Sequence, residues 1–565
     1  MRVNKTIFTL FFLLITVMSF AQKSSKISNL LKEKIEVKGS EETFTVWIIF
    51  KDKGVDLDQK MDEARASLNK KTVERRKKSM KEKSLVTFLD IPVNKTYINQ
   101  ITPLITKLRH QSKWLNAISA KVKGKQLDQI ANFSFVKKID VVRTRTYAKS
   151  DNAKHESVSI TNKGTDYTLN YGASLTQVEQ INVPIVHDMG YSGEGIIICV
   201  LDAGFNNLEH QAFSSMDILD SYDFVNDDDN VDDEGDMGYG GHGTNTLSTI
   251  GGFYEGKLIG PAYGASYLLA KTENTDSETQ VEEDNWVAGA EWAEGLGAQI
   301  TSTSLGYISF DDGSSYDASE LDGNTAVITI AADAMAALGV LVVNSAGNSG
   351  PGPTTIGAPA DGNEVLAIGA VESSGVKSYF SSMGPTGDGR IKPDVMAMGS
   401  NVFVADASGN AYTYTSGTSF SCPLTAGVAG LIWGMVPSAT NMQVFEALKM
   451  SADNAENPNN SYGWGIIDAY AAYTYLTALV GVEDHSVFDN TVVYPNPTTN
   501  ELFVKVNNTK PLKVQIFDLN GKLIKTVALY KKNQAIDISI FDKGIYFCKL
   551  TSDKSSMTSK FIIAR

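Results

Sequence analysis

Cysteine is almost missing from this 565-residue chain: Cys199, Cys422 and Cys548 are the whole complement. Three thiols are an odd number and too few for a disulfide framework, and no two lie close enough for a paired-cysteine zinc site. Histidine is nearly as scarce, at six. Positive charge is in deficit, with 51 Lys+Arg against 65 Asp+Glu and a net charge of −14. That balance argues against a nucleic-acid-binding surface. The longest apolar run, residues 7–20, falls short of the roughly 20 residues a membrane-spanning helix needs. Repeats of solenoid length are absent as well. What remains is 42% hydrophobic and 21% charged, ordinary for folded protein, and long enough for three or four units at about 150 residues each.

The charge is distributed unevenly. Residues 22–150 carry 29 Lys+Arg against 14 Asp+Glu, and residues 151–480 carry 8 against 43. A unit of net +15 therefore precedes one of net −35, and such surfaces attract at contact distance. Ahead of both, Arg2 and Lys5 lead into the apolar run, and Ser19-Phe20-Ala21 places small residues where a signal peptidase cuts. The layout predicts a secretory signal peptide over 1–21 and an exported protein.

Periodicity divides the rest. Residues 44–50 read as a buried strand and 57–83 as a Lys/Arg-rich helix, with apolar alternation near 85–91, 114–122 and 135–142. They predict a small α+β unit within 22–150, followed by a polar linker over 143–170. Across 171–478, apolar strands at 196–201, 299–304, 340–345 and 365–371 alternate with Ala/Gly-rich helices at 279–296, 325–338 and 418–436. The expectation is an α/β fold, a doubly wound and mostly parallel sheet with its site at the carboxyl ends of the strands. From 490 to 565 the period becomes two, with Asn520-Gly521 as a hairpin turn, so the tail should be a β-sandwich.

Three separated motifs carry chemistry. Val200-Leu201-Asp202-Ala203-Gly204 puts a carboxylate where a buried strand ends, and Gly240-Gly241-His242-Gly243-Thr244 sets a histidine among glycines at a helix start. Ser416-Gly417-Thr418-Ser419-Phe420-Ser421-Cys422-Pro423 opens the last Ala/Gly-rich helix. Alone, each is more often a turn residue, a structural histidine or an N-cap. Together, in the order Asp, His, Ser, they match an arrangement of nucleophile, base and orienting acid. On these motifs the chain resembles the subtilisin-like (subtilase) serine endopeptidases over about residues 175–475.

The resemblance implies a triad of Asp202, His242 and Ser419, working through an acyl-enzyme on protein or peptide substrates. It also implies an oxyanion donor in Asn348, from Asn344-Ser345-Ala346-Gly347-Asn348-Ser349-Gly350. Ser304, Leu305 and Gly306 would form the edge that pairs with substrate backbone. Ala346 and Gly347 would wall the pocket for the residue before the cut, and Gly357 would be its floor, making that pocket roomy and apolar. Two positions depart from the pattern: Ala203 stands where Thr or Ser is usual, and Met398 where Pro is commoner. The competing reading is a catalytically silent secreted binding protein on the same fold.

No cofactor is required for the chemistry. Subtilases often bind structural calcium, and the acidic loop 227–236 invites it, although an EF-hand alignment on Gly235 puts Gly241 at the last ligand position. By position, the basic unit 22–150 resembles a subtilase propeptide, a partner that covers the cleft and assists folding. The tail, from Val493-Tyr494-Pro495-Asn496-Pro497-Thr498 to Lys560-Phe561-Ile562-Ile563, resembles a type IX secretion sorting domain. It implies the type IX machinery as a partner and an extracellular or cell-surface destination.

Overall fold

The computed structural model describes residues 24–80, 85–142, 144–145, 167–234, 241–273, 281–308, 315–481, 491–506, 512–518, 522–529, 531, 533–551 and 556–564. The signal-like segment, nearly all of the 143–170 linker and the Asn520-Gly521 turn lie outside these residues. Two compact units emerge, Met1–Leu476 and Thr477–Arg565.

The first unit begins with a four-stranded antiparallel sheet of β1 (Thr43–Phe50), β2 (Lys107–Ser112), β3 (Ala117–Lys123) and β4 (Val136–Val141), in the order β2-β3-β1-β4. In β1 the period-two pattern serves two faces. Phe44, Val46, Ile48 and Phe50 enter a core with Ile98, Ile118, Ile130 and Ile139. Trp47, on the other face, joins Trp114, Ala117 and residues of the following domain, among them Trp286 and Ala290. A buried indole removes on the order of 200 Å² from water, at most about 5 kcal/mol at 25 cal/mol per Å². The long basic helix expected over 57–83 is broken into Leu57–Ser67 and α1 (Lys70–Ser79). Asn69 causes the restart, because its side chain accepts from the backbone N–H groups of Lys71 and Thr72. The 85–91 segment forms a 3₁₀ turn, Phe88–Asp90, closed by a Thr87/Asp90 capping box.

The α/β part is a seven-stranded, wholly parallel sheet. Its strands are β5 (Ile197–Asp202), β6 (Asp217–Asp223), β7 (Ser266–Lys271), β8 (Ile300–Thr303), β9 (Leu341–Ser345), β10 (Val365–Val371) and β11 (Val395–Met398), ordered β11-β10-β9-β8-β5-β7-β6. Around it lie α2 (His242–Gly251), α3 (Glu283–Leu296), α4 (Val327–Ala337) and α5 (Thr418–Met435). The four strands read from sequence are present within a residue or two of the expected ends. β6, β7 and β11 were not foreseen. β6 is a half-polar edge strand, and β7 and β11 have apolar runs too short to stand out.

The basic and acidic surfaces meet on α3. Arg109 Nε lies 2.8 Å from Asp284 Oδ2, and Ser119 Oγ donates to the same carboxylate. Glu291 accepts from Ser112 Oγ at 2.6 Å and from the backbone N–H groups of Lys113 and Trp114, both at 3.1 Å. The second unit is a sandwich of a three-stranded and a four-stranded sheet around Leu502, Val514, Ile516, Cys548, Leu550 and Phe561.

Candidate active site

β5 ends in Asp202, whose side chain is fully buried, and α2 begins with His242, whose imidazole stays 29% exposed. Close approach of the two elements depends on Gly243. A Cβ there would lie 2.6 Å from the Ala203 carbonyl oxygen and 2.7 Å from that of Gly204. His242 Nδ1 consequently comes within 2.5 Å of Asp202 Oδ1. The carboxylate can only accept, so Nδ1 carries the proton and Nε2 is left as the basic nitrogen. Asp202 also accepts from the Ala203 N–H at 2.8 Å and, through Oδ2, from Thr246 Oγ1 at 3.0 Å. The sequence reading missed Thr246, although its position four residues after His242 places it on the same helix face. It gives Asp202 a hydroxyl where Ala203 has none to offer. Burial works against an imidazolium here, but the charge and hydrogen bond of Asp202 outweigh it, and the His242 pKa is raised.

Ser419 is the second residue of α5 and is 7% exposed. Its Oγ donates to the Ser304 carbonyl at 3.2 Å, while Ser304 Oγ donates to the Ser419 carbonyl at 2.8 Å. The His242 ring sits 6.0 Å from the ring of the adjacent Phe420. Among the described residues no hydrogen bond joins Ser419 to His242. Asn348 Oδ1 accepts from the Thr418 N–H and Oγ1, each at 2.9 Å. A backbone N–H can only donate, so this contact fixes the amide and turns Nδ2 the other way. A Cβ built on Gly417 would lie 3.4 Å from Asn348 Nδ2 and 3.6 Å from Ser419 N. Both nitrogens thus border the space beside Gly417, and the Ser419 N–H is among those that the first turn of a helix leaves without an internal partner.

A cavity of about 80 Å³ adjoins Ser419, lined by Ser304, Gly306, Ile308, Gly347, Asn348 and Gly357 among others. It is small and rich in hydroxyl and backbone groups, unlike the roomy apolar pocket expected. Ile308 accounts for part of the difference, since its Cγ1 stands 3.2 Å from where a Gly357 Cβ would be. Leu305 and Ala346 do not line the cavity. Leu305 is buried, its carbonyl taken by Asn344 Nδ2 at 2.9 Å, and Ala346 packs with Ile356, Ala360 and Ala367.

Behind the site, the buried Lys271 ammonium lies 2.9 Å from Asp223 Oδ2 and 3.8 Å from Asp233 Oδ1. Burial pushes the Asp233 carboxyl up to about 6 against the pull of Lys271. Two acids of the 223–234 region thus face an ammonium. Among the described residues no three His, Cys, Asp or Glu side chains gather as metal ligands. Cys199, Cys422 and Cys548 are all free and buried.

Comparison with known proteins follows the same division. Residues 193–465 match the subtilase family, residues 45–158 the peptidase S8 propeptide domain of Bacteroidota, and residues 492–564 a secretion system C-terminal sorting domain. Subtilisin NAT of Bacillus subtilis subsp. natto is 28% identical over 370 residues, 65% of this chain and 83% of that protein. Alkaline elastase YaB of Bacillus sp. (strain YaB) is 29% identical over 301 residues, 52% of this chain and 69% of its own. Subtilisin DY of Bacillus licheniformis is 30% identical over 309 residues, 54% of this chain and 98% of its own. The C-terminal sorting domain marks the protein for type IX secretion to the cell surface or beyond, and no described helix is long and apolar enough to cross a membrane. With a sheet domain that matches the subtilases and a span covering nearly all of subtilisin DY, the chain belongs to the subtilase family and is a subtilisin-like serine peptidase.

Proposed function

We propose that the protein is an endopeptidase that cleaves peptide bonds through an acyl-enzyme, with Ser419 as nucleophile, His242 as general base and acid, and Asp202 as orienting acid. The observation that carries this reading is the 2.5 Å contact of a buried carboxylate with His242 Nδ1, with Asn348 Nδ2 and the Ser419 nitrogen both bordering the space beside Gly417. To act, the Ser419 hydroxyl leaves the Ser304 carbonyl by turning about χ1 toward His242 Nε2, which forfeits one ordinary hydrogen bond worth about 1 kcal/mol. His242 takes the Ser419 proton as Oγ adds to the scissile carbonyl. The charge that develops on the carbonyl oxygen is met by Asn348 Nδ2, by the Ser419 N–H and by the positive end of α5. His242 then protonates the leaving amine, and water repeats the sequence on the ester.

Substrate would enter along Ser304 and Gly306, which line the cavity beside Ser419. The mature peptidase would span about 171–478, after loss of the signal peptide (1–21), the propeptide (22–150) and the sorting domain (490–565). Matured protein and its Ser419→Ala variant, assayed on a fluorogenic peptide, test the proposal. Losing the nucleophile from such a triad lowers kcat by about a millionfold, and equal hydrolysis by both proteins would reject it.

A further inference from the structure

Helix α1 stands apart from the propeptide sheet and lies across the carboxyl ends of α3 and α4. Two glycines open its seat, Gly297 after α3 at φ +95° and Gly339 after α4 at φ +90°. A Cβ on Gly297 would come within 2.6 Å of Lys71 Cβ, and one on Gly339 within 2.8 Å of Ser79 Oγ. Helix carboxyl ends present unpaired carbonyls and the negative end of the dipole, and α1 supplies the donors. Thr72 Oγ1 donates to the Glu294 carbonyl at 3.0 Å, and Asn69 Nδ2 to that of Leu296 at 3.3 Å. Arg75 Nη1 reaches the Ala298 carbonyl at 2.6 Å and Arg75 Nε that of Leu338 at 3.4 Å.

The Glu294 carboxylate lies among these carbonyls. Arg75 Nη2 contacts its Oε1, Arg76 Nη2 reaches the same oxygen at 2.7 Å, and Lys113 Nζ lies 3.7 Å from Oε2. Arg75 and Glu294 are 2% and 1% exposed. Arg76 is held as well by Asp90 of its own unit at 2.7 Å. The hydrogen bonds of the Arg75 side chain among the described residues go to the peptidase domain alone. One guanidinium thereby joins the ends of two helices and a buried acid, a task suited to a planar fork of donors.

We propose that Glu294 and the carboxyl ends of α3 and α4 form a guanidinium-binding site, occupied by Arg75, that retains the propeptide on the peptidase after the connecting chain is cut. The inference rests on reading 22–150 as an inhibitory propeptide. Removing one partner of a buried, hydrogen-bonded charge pair acts mainly on dissociation. Release of the propeptide should therefore be at least about thirtyfold faster without Arg75.

The test compares full-length parent, Arg75→Ala, Arg75→Lys and Glu294→Gln. Intact mass reports processing, size-exclusion reports propeptide retention, and a fluorogenic peptide reports the lag before hydrolysis. Arg75→Ala and Glu294→Gln should process normally, shed the propeptide and lose most of the lag. Arg75→Lys should fall between them and the parent, because one ammonium cannot reach Glu294 and both carbonyls together. Once released, the Arg75 variants should match the parent in final activity. An unchanged lag with unchanged co-elution would overturn the proposal, as would an Arg75→Ala chain that fails to fold, which would make the arginine a folding contact instead. If the parent never hydrolyses peptide, the peptidase reading fails separately. Trypsin nicking at Lys149, Lys154 or Lys163 followed by size-exclusion then decides on Arg75 alone.

Discussion

At the scale of single residues, electrostatics sets what the site can do. In the proposed mechanism His242 must be neutral to accept the Ser419 proton. Burial works against its charged form, but Asp202, with Glu273 and Asp233, outweighs that and raises its pKa above the ordinary imidazole value. The imidazolium is therefore kept to higher pH than in a free histidine. kcat/KM of the matured enzyme should rise with pH through an inflection above about 6.5 and fall away below it. In Asp202→Asn burial acts unopposed by that carboxylate, so the inflection should move to lower pH while the plateau collapses. A profile that does not move would remove Asp202 from the account. Asn348 makes a separate prediction, because in the proposed mechanism its Nδ2, which with the Ser419 nitrogen borders the space beside Gly417, donates to the oxyanion. Asn348→Ala should lower kcat by about 10²- to 10³-fold with little change in KM. A change confined to KM would make Asn348 a ground-state contact only.

At the scale of elements, the site depends on how closely α2 and α5 approach the strand ends. Gly243→Ala would drive a methyl into two backbone carbonyls of the Ala203–Gly204 turn, and backbone yields only by moving α2. A shift of about 1 Å at a reacting group costs about a hundredfold in rate. Steady-state kinetics on Gly243→Ala should show at least that loss, and unchanged kinetics would mean that the approach of α2 does not position His242. Much of this arrangement was legible in the sequence. Buried parallel strands announce themselves as apolar runs, so β5, β8, β9 and β10 could be placed, and the glycines beside Asp202 and around His242 marked a turn and a place for substrate to approach. The Thr246 bond to Asp202 was open to helix spacing but went unread. What sequence could not supply is contact between distant segments. The pairing of Lys271 with Asp223 and the placing of Ile308 near Gly357 exist only after folding, and so does the narrowing of the expected pocket.

At the scale of the whole molecule, the strong charge contrast resolves into a few buried contacts on α3 and a shared apolar face around Trp47, Trp114 and Trp286. Burying one face of β1 against the following domain explains why its sequence, Thr-Phe-Thr-Val-Trp-Ile-Ile-Phe, is apolar almost throughout. The sorting tail has a core of its own, consistent with a separable address. Intact mass of the matured protein after exposure to a fluorophosphonate addresses the central claim directly, because only an activated serine reacts. The account predicts a single adduct that maps to Ser419 and disappears in Ser419→Ala and His242→Ala. An unlabelled matured protein, or an adduct that survives in Ser419→Ala, would contradict it.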